Sequence, residues 1–550
     1  MATSEPPGIR ATQRAPRSCR SCRKRRVRCN KRIPCQECIG RGLEAQCARE
    51  IVKVKGQIIS GDAPNSQYSY NELLLENQKL RGQLDSQLQK LPQKAAKHFE
   101  VRNITESFER DLFDAVKHTS RISTVVEDDQ VIRPSPNCAA RLLSYGRVWV
   151  SWIHCALHHP TFESECEIFW RTGRPHEDTD AGRSLWLAVY FSYLSAILLF
   201  MDEEEAKATG LPHDNVKMLL LNWYDAALLH LYRADFLRNL NIKSVQAIAI
   251  LGIVFNNVGD STLHTCLWAC GIRIARSLSL DFDRDHLGES LVQREVRRRL
   301  WWTFVLCEWI PIPYRIPSIY EADFEVELPA QIADEELILP STSLDSKPRP
   351  IQYHIAMIQI ATIYHRFRCA LRLKASRSDE ISVLVIESDE SLANLIEGLP
   401  DHLQGGQDFT SPSSAPDIDQ SWIAWQRTNL SLVLLYYRIV INRILQDQWI
   451  QDPTTFERTR SICLGSARAM IALVRNYAGS VARHRPWATS LHLFSAAIIL
   501  VVEARFHPND AEDNYVEEIQ FCFDLLRKIS DQSIFAAKAV EILETQLLHA

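Results

Sequence analysis

Six cysteines between Cys19 and Cys47 constrain this chain more than any other feature of its sequence. They read Cys19-x2-Cys22-x6-Cys29-x5-Cys35-x2-Cys38-x8-Cys47, a Cys-x2-Cys pair followed by a third Cys, written twice. A repeated ligand spacing implies two pseudo-equivalent metal sites. Two tetrahedral zinc ions need eight ligand positions, so six thiolates suffice only if two sulfurs bridge both metals. The first histidine of the chain is His98, which excludes Cys2His2 fingers and RING sites from this segment. The expected cofactor is therefore Zn2+, two per chain, with Cys19, Cys22, Cys29, Cys35, Cys38 and Cys47 as ligands. Disulfides are the competing reading. No apolar leader precedes the basic N-terminal stretch, which predicts a reducing compartment and disfavours them.

The two halves of the repeat differ in charge. Between Cys22 and Cys29 lie Arg23, Lys24, Arg25, Arg26, Val27 and Arg28, five of six basic, whereas Arg41 is the one basic residue among the eight between Cys38 and Cys47. Residues 1 to 55 hold 15 Lys and Arg against 4 Asp and Glu, although the whole chain is formally −4. A basic head on an acidic body is the asymmetry expected where one end meets a polyanion. No aromatic residue interrupts the basic run, so it offers no stacking platform for single strands or RNA, and duplex DNA is the expected partner. A merely solvated basic face is the bland alternative, and nuclear import is an additional role open to the same run.

The stretch from Cys19-Arg-Ser-Cys22-Arg-Lys-Arg-Arg-Val-Arg-Cys29 through Pro34-Cys35 and Arg41-Gly42-Leu43 to Cys47 resembles the fungal binuclear zinc cluster transcription factors of the Zn2Cys6 type. The resemblance implies that Cys19 and Cys35 are the bridging thiolates, that Arg25 and Arg26 reach base edges of a CGG-type triplet, and that Arg23 and Arg28 hold phosphates. Lys24 and Lys31 complete the expected DNA-contacting set. Arg26 stands where the family usually has Lys, and Asn30 where it usually has Asp. An Arg fork pairs bidentately with guanine in a way that Lys cannot.

Downstream, composition and periodicity divide the chain. Residues 1 to 18, with Pro6, Pro7 and Pro16, read as a disordered arm, and residues 48 to 69 as a linker. Tyr70, Leu73, Asn77, Leu80, Leu84, Gln87 and Leu91 then alternate in steps of three and four until Pro92, the seam of a short coiled coil and hence of a homodimer over residues 70 to 91. From 130 to 550 the pattern is a succession of helices. The uncharged run Leu185 to Met201 has 17 residues, short of the roughly 20 that span a bilayer, and reads as a buried helix with no membrane partner. His159-Pro-Thr-Phe162, Ser244 to Gly252, Trp268 to Leu280, Glu295-Val-Arg-Arg-Arg-Leu-Trp-Trp302 and Asp323-Phe-Glu-Val-Glu-Leu-Pro329 resemble the regulatory domain of the same family, over residues 130 to 450.

Catalytic readings of this body are weak. His154, Cys155, His158 and His159 have helix-face spacing but no nearby acid to orient them, which favours core or capping roles. Arg297 to Arg299 beside Trp301 and Trp302 read as snorkelling, acid-paired residues rather than a phosphate site. There is no Gly-rich phosphate loop, Ser nucleophile elbow or His-Glu-x-x-His motif. The expectation is a mainly α chain with a small N-terminal Zn2Cys6 cluster, a short coiled coil and a large all-helical regulatory domain. Its expected role is that of a nuclear, DNA-binding regulator of RNA polymerase II transcription, not an enzyme. It would activate a metabolic or secondary-metabolite gene cluster and answer to a small-molecule or protein effector at the helical domain. A zinc-bearing enzyme or scaffold with a purely structural cluster, and a repressor, are the alternatives.

Overall fold

Short polar residues ahead of apolar runs set out the helices of this chain. Ser135 caps Pro136–Trp149 by accepting from the Cys138 amide at 3.3 Å, and Thr179 caps Asp180–Phe200 by accepting from Gly182 at 2.9 Å. Asp202 with Glu205, and Ser290 with Gln293, form reciprocal capping boxes. The computed structural model describes residues 10–11, 16–50, 52–54, 57–59, 103–117, 119, 121, 123, 125, 127–283, 288–310, 317–338, 347–374, 378–404, 421–507 and 515–548. It divides into two units, Met1–His98 and Phe99–Ala550. The heptad segment 70 to 91 lies outside the described residues.

In the smaller unit, two short helices, Arg20–Arg25 and Gln36–Ile39, hold the cysteines. A three-stranded sheet accompanies them: β1 (Arg10–Ala11) runs parallel to β2 (Val52–Val54), which pairs antiparallel with β3 (Gln57–Ile59). Part of the stretch expected as a linker is therefore strand, and Arg10 and Ala11 of the expected disordered arm are paired. The reason is local. Val52, Val54, Ile58 and Ile59 are β-branched, the residue type that pleated strands favour, and the register pairs Val52 with Ile59 and Lys53 with Ile58.

The larger unit is helical and contains two apolar cores. Asp180–Phe200 is apolar on nearly every face and is wrapped by Val216–Arg233, Ile242–Leu251 and Pro136–Trp149 to make the first. Gly146 permits the closest of these approaches, since a Cβ there would lie 2.6 Å from Ile197 Cδ1 and Tyr193 Oη. The second core gathers Ser421–Asn442, Glu457–Arg475, Val516–Ile529 and Ile534–Leu548 around Trp487–Phe506. Asp180–Phe200 and Trp487–Phe506 are each long and apolar enough to cross a membrane, yet 83% of each apolar window is buried inside the protein. The run Leu185 to Met201 is accordingly a core helix. Trp149, Ile153, Ile310 and Met357 pack against both cores and join them.

This body begins before residue 130. Helix Ile104–Lys117 presents Ile104, Phe108, Leu112 and Val116 to the second core, an i, i+4 stripe that commits it to burial. Glu109 of the same helix is fully buried and receives two hydrogen bonds of 2.6 Å from Arg443.

Candidate metal centre and nucleic-acid interface

The repeat written in the cysteines is repeated in the backbone. Cys19 precedes the first helix and Cys35 the second, and each cysteine carbonyl accepts from the amide four residues on, Arg23 at 3.0 Å and Ile39 at 2.9 Å. Each helix then turns back, with Val27 donating to the Cys22 carbonyl at 3.1 Å and Leu43 to the Cys38 carbonyl at 2.9 Å. Both turns pass through the left-handed region, at Arg26 (φ 54°) and at Gly42 (φ 68°). Glycine adopts that conformation freely, whereas another residue is strained there. Arginine occupies the position in the half that carries the basic run.

These turns bring all six cysteines together and bury them. Cys19, Cys22, Cys29 and Cys35 form one group of four, and Cys19, Cys35, Cys38 and Cys47 another, the ligand atoms of each within 4.8 Å of one another. Cys19 and Cys35 belong to both. Sulfur separations are 3.8 Å for Cys19–Cys35 and Cys19–Cys38, and 3.4 Å for Cys22–Cys35. Zn–S bonds of about 2.3 Å in tetrahedral geometry set sulfurs about 3.8 Å apart, so this donor set fits zinc. Backbone amides of Cys22 and Cys35 point at the sulfurs of Cys19 (3.3 Å) and Cys47 (3.1 Å) and favour their thiolate charge. Burial pushes the thiols of Cys22, Cys38 and Cys47 up, whereas at Cys19 and Cys35 hydrogen bonds from neighbouring amides and thiols outweigh burial and bring them down, to about 6 at Cys35.

The basic residues divide into engaged and free. Arg25 is half-buried: Nε donates to the Ser21 carbonyl at 3.2 Å, and Nη2 lies 3.7 Å from the Cys38 sulfur and 4.0 Å from that of Cys22. Arg25, expected to reach base edges, thus has its guanidinium against the cysteine cluster, a pose that follows from its position one helical turn after Cys22. Arg23 is paired with Glu50, a partner that sequence reasoning passed over because it lies beyond the last cysteine. The side chains of Lys24, Arg26 and Arg28 are exposed and make no hydrogen bond or ion pair with the described residues. Lys31 is also exposed, and its carbonyl accepts from Arg49 at 2.5 Å.

The histidines and arginines singled out in the body have separate partners. His154 Nδ1 meets the Ala249 carbonyl at 2.6 Å, His158 lies between Thr161 Oγ1 at 2.7 Å and the Asp334 carbonyl at 2.9 Å, and His159 Nε2 meets Tyr193 Oη at 3.0 Å. They form no metal-ligating group with Cys155 among the described residues. Arg297 pairs with Glu289 at 3.3 Å, Arg298 with Asp283 and Glu327, and Arg299 with Glu295 and Asp334. Acids and carbonyls thus occupy the guanidinium groups.

Comparison with known proteins agrees with both units. Residues 17–53 match the fungal Zn(2)-Cys(6) binuclear cluster domain, and residues 148–392 match the fungal specific transcription factor domain. The agnestins biosynthesis cluster transcription factor of Paecilomyces divaricatus is 22% identical over 96% of this chain and 84% of its own length. The aurofusarin cluster transcription factor of Gibberella zeae is 24% identical over 61% of this chain and 50% of its own. Among solved structures, a chain in the structure of the K. lactis CBF3 core shares the fold, with a TM-score of 0.54 and 12% identity over 82% of this chain and 92% of that one. The family models and the relatives that match are those of transcription factors and not of enzymes.

Proposed function

We propose, from the premise that this chain belongs to the fungal transcription factors built on a Zn(2)-Cys(6) binuclear cluster, that it is a nuclear activator that reads CGG-type sites in duplex DNA. The observation that carries this reading is the pairing of two four-cysteine groups that share Cys19 and Cys35 with an exposed basic run on one half alone. Two zinc ions per chain, one in each group, make the six thiolates a cluster of charge −2, and the surrounding basic residues keep a surplus for phosphate. Arg26 is the base-reading residue, with Lys24, Arg28 and Lys31 gripping the backbone. Arg25 supports the cluster and meets DNA from there, and Arg23 exchanges Glu50 for phosphate on binding. Residues 70 to 91 pair two copies, and residues 130 to 550, with the helix Ile104–Lys117, regulate in response to an effector. The names of the relatives in Paecilomyces divaricatus and Gibberella zeae favour a biosynthetic gene cluster as the target.

Selection from random duplexes tests this. Full-length protein is expected to enrich paired CGG-type triplets, and Arg26→Ala to blur the triplet at a cost of about 1 to 3 kcal/mol. An unchanged ranking of sites in that variant would remove Arg26 as the reader. Enrichment of single triplets alone would remove the homodimer.

A further inference from the structure

The helix Ile351–Lys374 of the acidic body carries no acidic residue in its 24 positions, and its last three turns hold Arg366, Arg368, Arg372 and Lys374. Cations near a helix C-terminus offset its dipole, so this charge alone names no ligand. A thiol in its midst adds chemistry. Cys369 stands three residues after Arg366 and three before Arg372, the spacing that sets all three on one helix face. Cys369 is half-buried, and Arg366 and Arg372 are exposed.

A base is already in contact with that thiol. His365, one turn earlier, is buried, and its Nε2 lies 3.6 Å from the Cys369 sulfur. Its ring stacks on Trp309 at 4.2 Å with 13° between the planes, and Tyr320 lies 6.1 Å away, which fixes the edge that the imidazole offers. Burial, with Arg368, Arg372 and Arg366 nearby, holds His365 below its ordinary value against the opposing pull of Glu321, so the imidazole is neutral at physiological pH. Glu321 is itself paired with Arg366 at 2.9 Å. The stretches that adjoin these elements in sequence, 311–316 and 375–377, contain Arg315 and Arg377 and no acidic residue.

Other cysteines of the body lack part of this arrangement. Cys307 meets His154 Nε2 at the same 3.6 Å, but burial pushes its thiol up. Burial does the same at Cys138, Cys155, Cys166, Cys463 and Cys522. Cys266 is exposed and gives the reference for a thiol that solvent reaches freely.

We propose that Cys369 is a modification site for anionic low-molecular-weight disulfides, which Arg366 and Arg372 hold while the Cys369 sulfur attacks and His365 accepts its proton. With Nδ1 protonated, His365 takes the thiol proton on Nε2. The Cys369 sulfur bonds to one sulfur of the disulfide, the S–S bond breaks, and the departing thiolate recovers the proton from His365. The products are a mixed disulfide at Cys369 and one free thiol, with the reagent disulfide as the oxidant. Guanidinium forks pair with carboxylates, so a disulfide that carries carboxylates is gripped where a cationic one is repelled. The step does not depend on DNA binding.

Rates of mixed-disulfide formation in the full-length, zinc-loaded protein, read at each cysteine by mass spectrometry of peptides, test this with three reagents. Glutathione disulfide is net negative, 2-hydroxyethyl disulfide neutral and cystamine net positive. Relative to Cys266, Cys369 is expected to favour glutathione disulfide over cystamine at least about tenfold, with the neutral reagent between them. Arg372→Gln removes one unit charge from an exposed position and should slow glutathione disulfide at Cys369 about threefold while leaving 2-hydroxyethyl disulfide unchanged. His365→Gln should slow all three reagents. The same order of reagents at both cysteines, glutathione disulfide that modifies Cys369 no faster than Cys266, or unchanged rates in either folded variant would each overturn the proposal. If His365→Gln does not fold, the wild-type order and Arg372→Gln decide. Zinc content followed alongside keeps reaction at the cluster cysteines apart from modification of Cys369.

Discussion

Arg26 is where residue-scale reasoning bears most directly on function. Its counterpart in the second half, Gly42, takes the left-handed turn freely, so the arginine is tolerated there at a strain of roughly 1 kcal/mol. Arg26→Gly relieves that strain and adds about 0.5 to 1 kcal/mol of freedom to the unfolded chain, so the two effects nearly cancel. Zinc retention against a chelator should therefore be nearly unchanged while discrimination among duplexes falls about tenfold or more; retained discrimination would show that the side chain does not read bases. Arg25 behaves oppositely. Its guanidinium lies against the sulfurs of Cys22 and Cys38, so Arg25→Ala should release zinc to a chelator faster than Arg26→Ala does, and equal release rates would contradict the supporting role. The grouping of the six cysteines was legible because their spacing is written twice in the sequence. The poses of Arg23 and Arg25 were not, because they depend on Glu50 and on a turn that folds side chains back onto sulfur.

At the scale of elements, the helix Ile104–Lys117 shows what a stripe of four apolar residues commits a chain to. It docks into the second core and buries Glu109 against Arg443, a pair in which both side chains are at most 1% exposed. Removing one partner strands the other charge without water, so Glu109→Ala should cost roughly 3 to 5 kcal/mol in a denaturant titration. Glu109→Gln, which keeps an acceptor, should cost less; a loss under about 1 kcal/mol for Glu109→Ala would mean that the helix is not held in this core. The stripe of Ile104, Phe108, Leu112 and Val116 was readable in the sequence, but the partner Arg443 lies more than 300 residues away and no local pattern connects them. The antiparallel pair of Val52–Val54 and Gln57–Ile59 was readable too, in its β-branched residues, although the surrounding polar stretch gave it the appearance of a linker.

For the whole molecule, the mainly helical class and its division into a basic cluster and an acidic body followed from helical periodicity and charge asymmetry. The cavity of about 180 Å3 between the two cores did not, since Trp268 of one core and Trp425 of the other line it only through the packing of those cores. Burial also gives the body a pH dependence. His154 and His484 are held down to about 4, and His354 and His492 to about 3, whereas unfolded imidazoles titrate near 6.5. Between these values unfolding takes up protons, so stability is full above pH 6.5 and falls as pH drops toward 4, by roughly 1.4 kcal/mol per pH unit for each histidine that stays neutral. All 13 tryptophans lie at or beyond Trp149, so their fluorescence in denaturant at pH 7.0, 5.5 and 4.5 reports on the body alone; a flat midpoint would contradict the burial of these rings. On the proposed function, zinc organises a surface that reads duplex DNA. Anisotropy of a labelled duplex carrying paired CGG triplets, titrated with full-length protein against a scrambled duplex, tests it most directly. Preference for the CGG duplex is expected, with loss of that preference on adding a chelator and its return with two equivalents of zinc per chain. Equal binding of the two duplexes, or preference that survives the chelator, would contradict it.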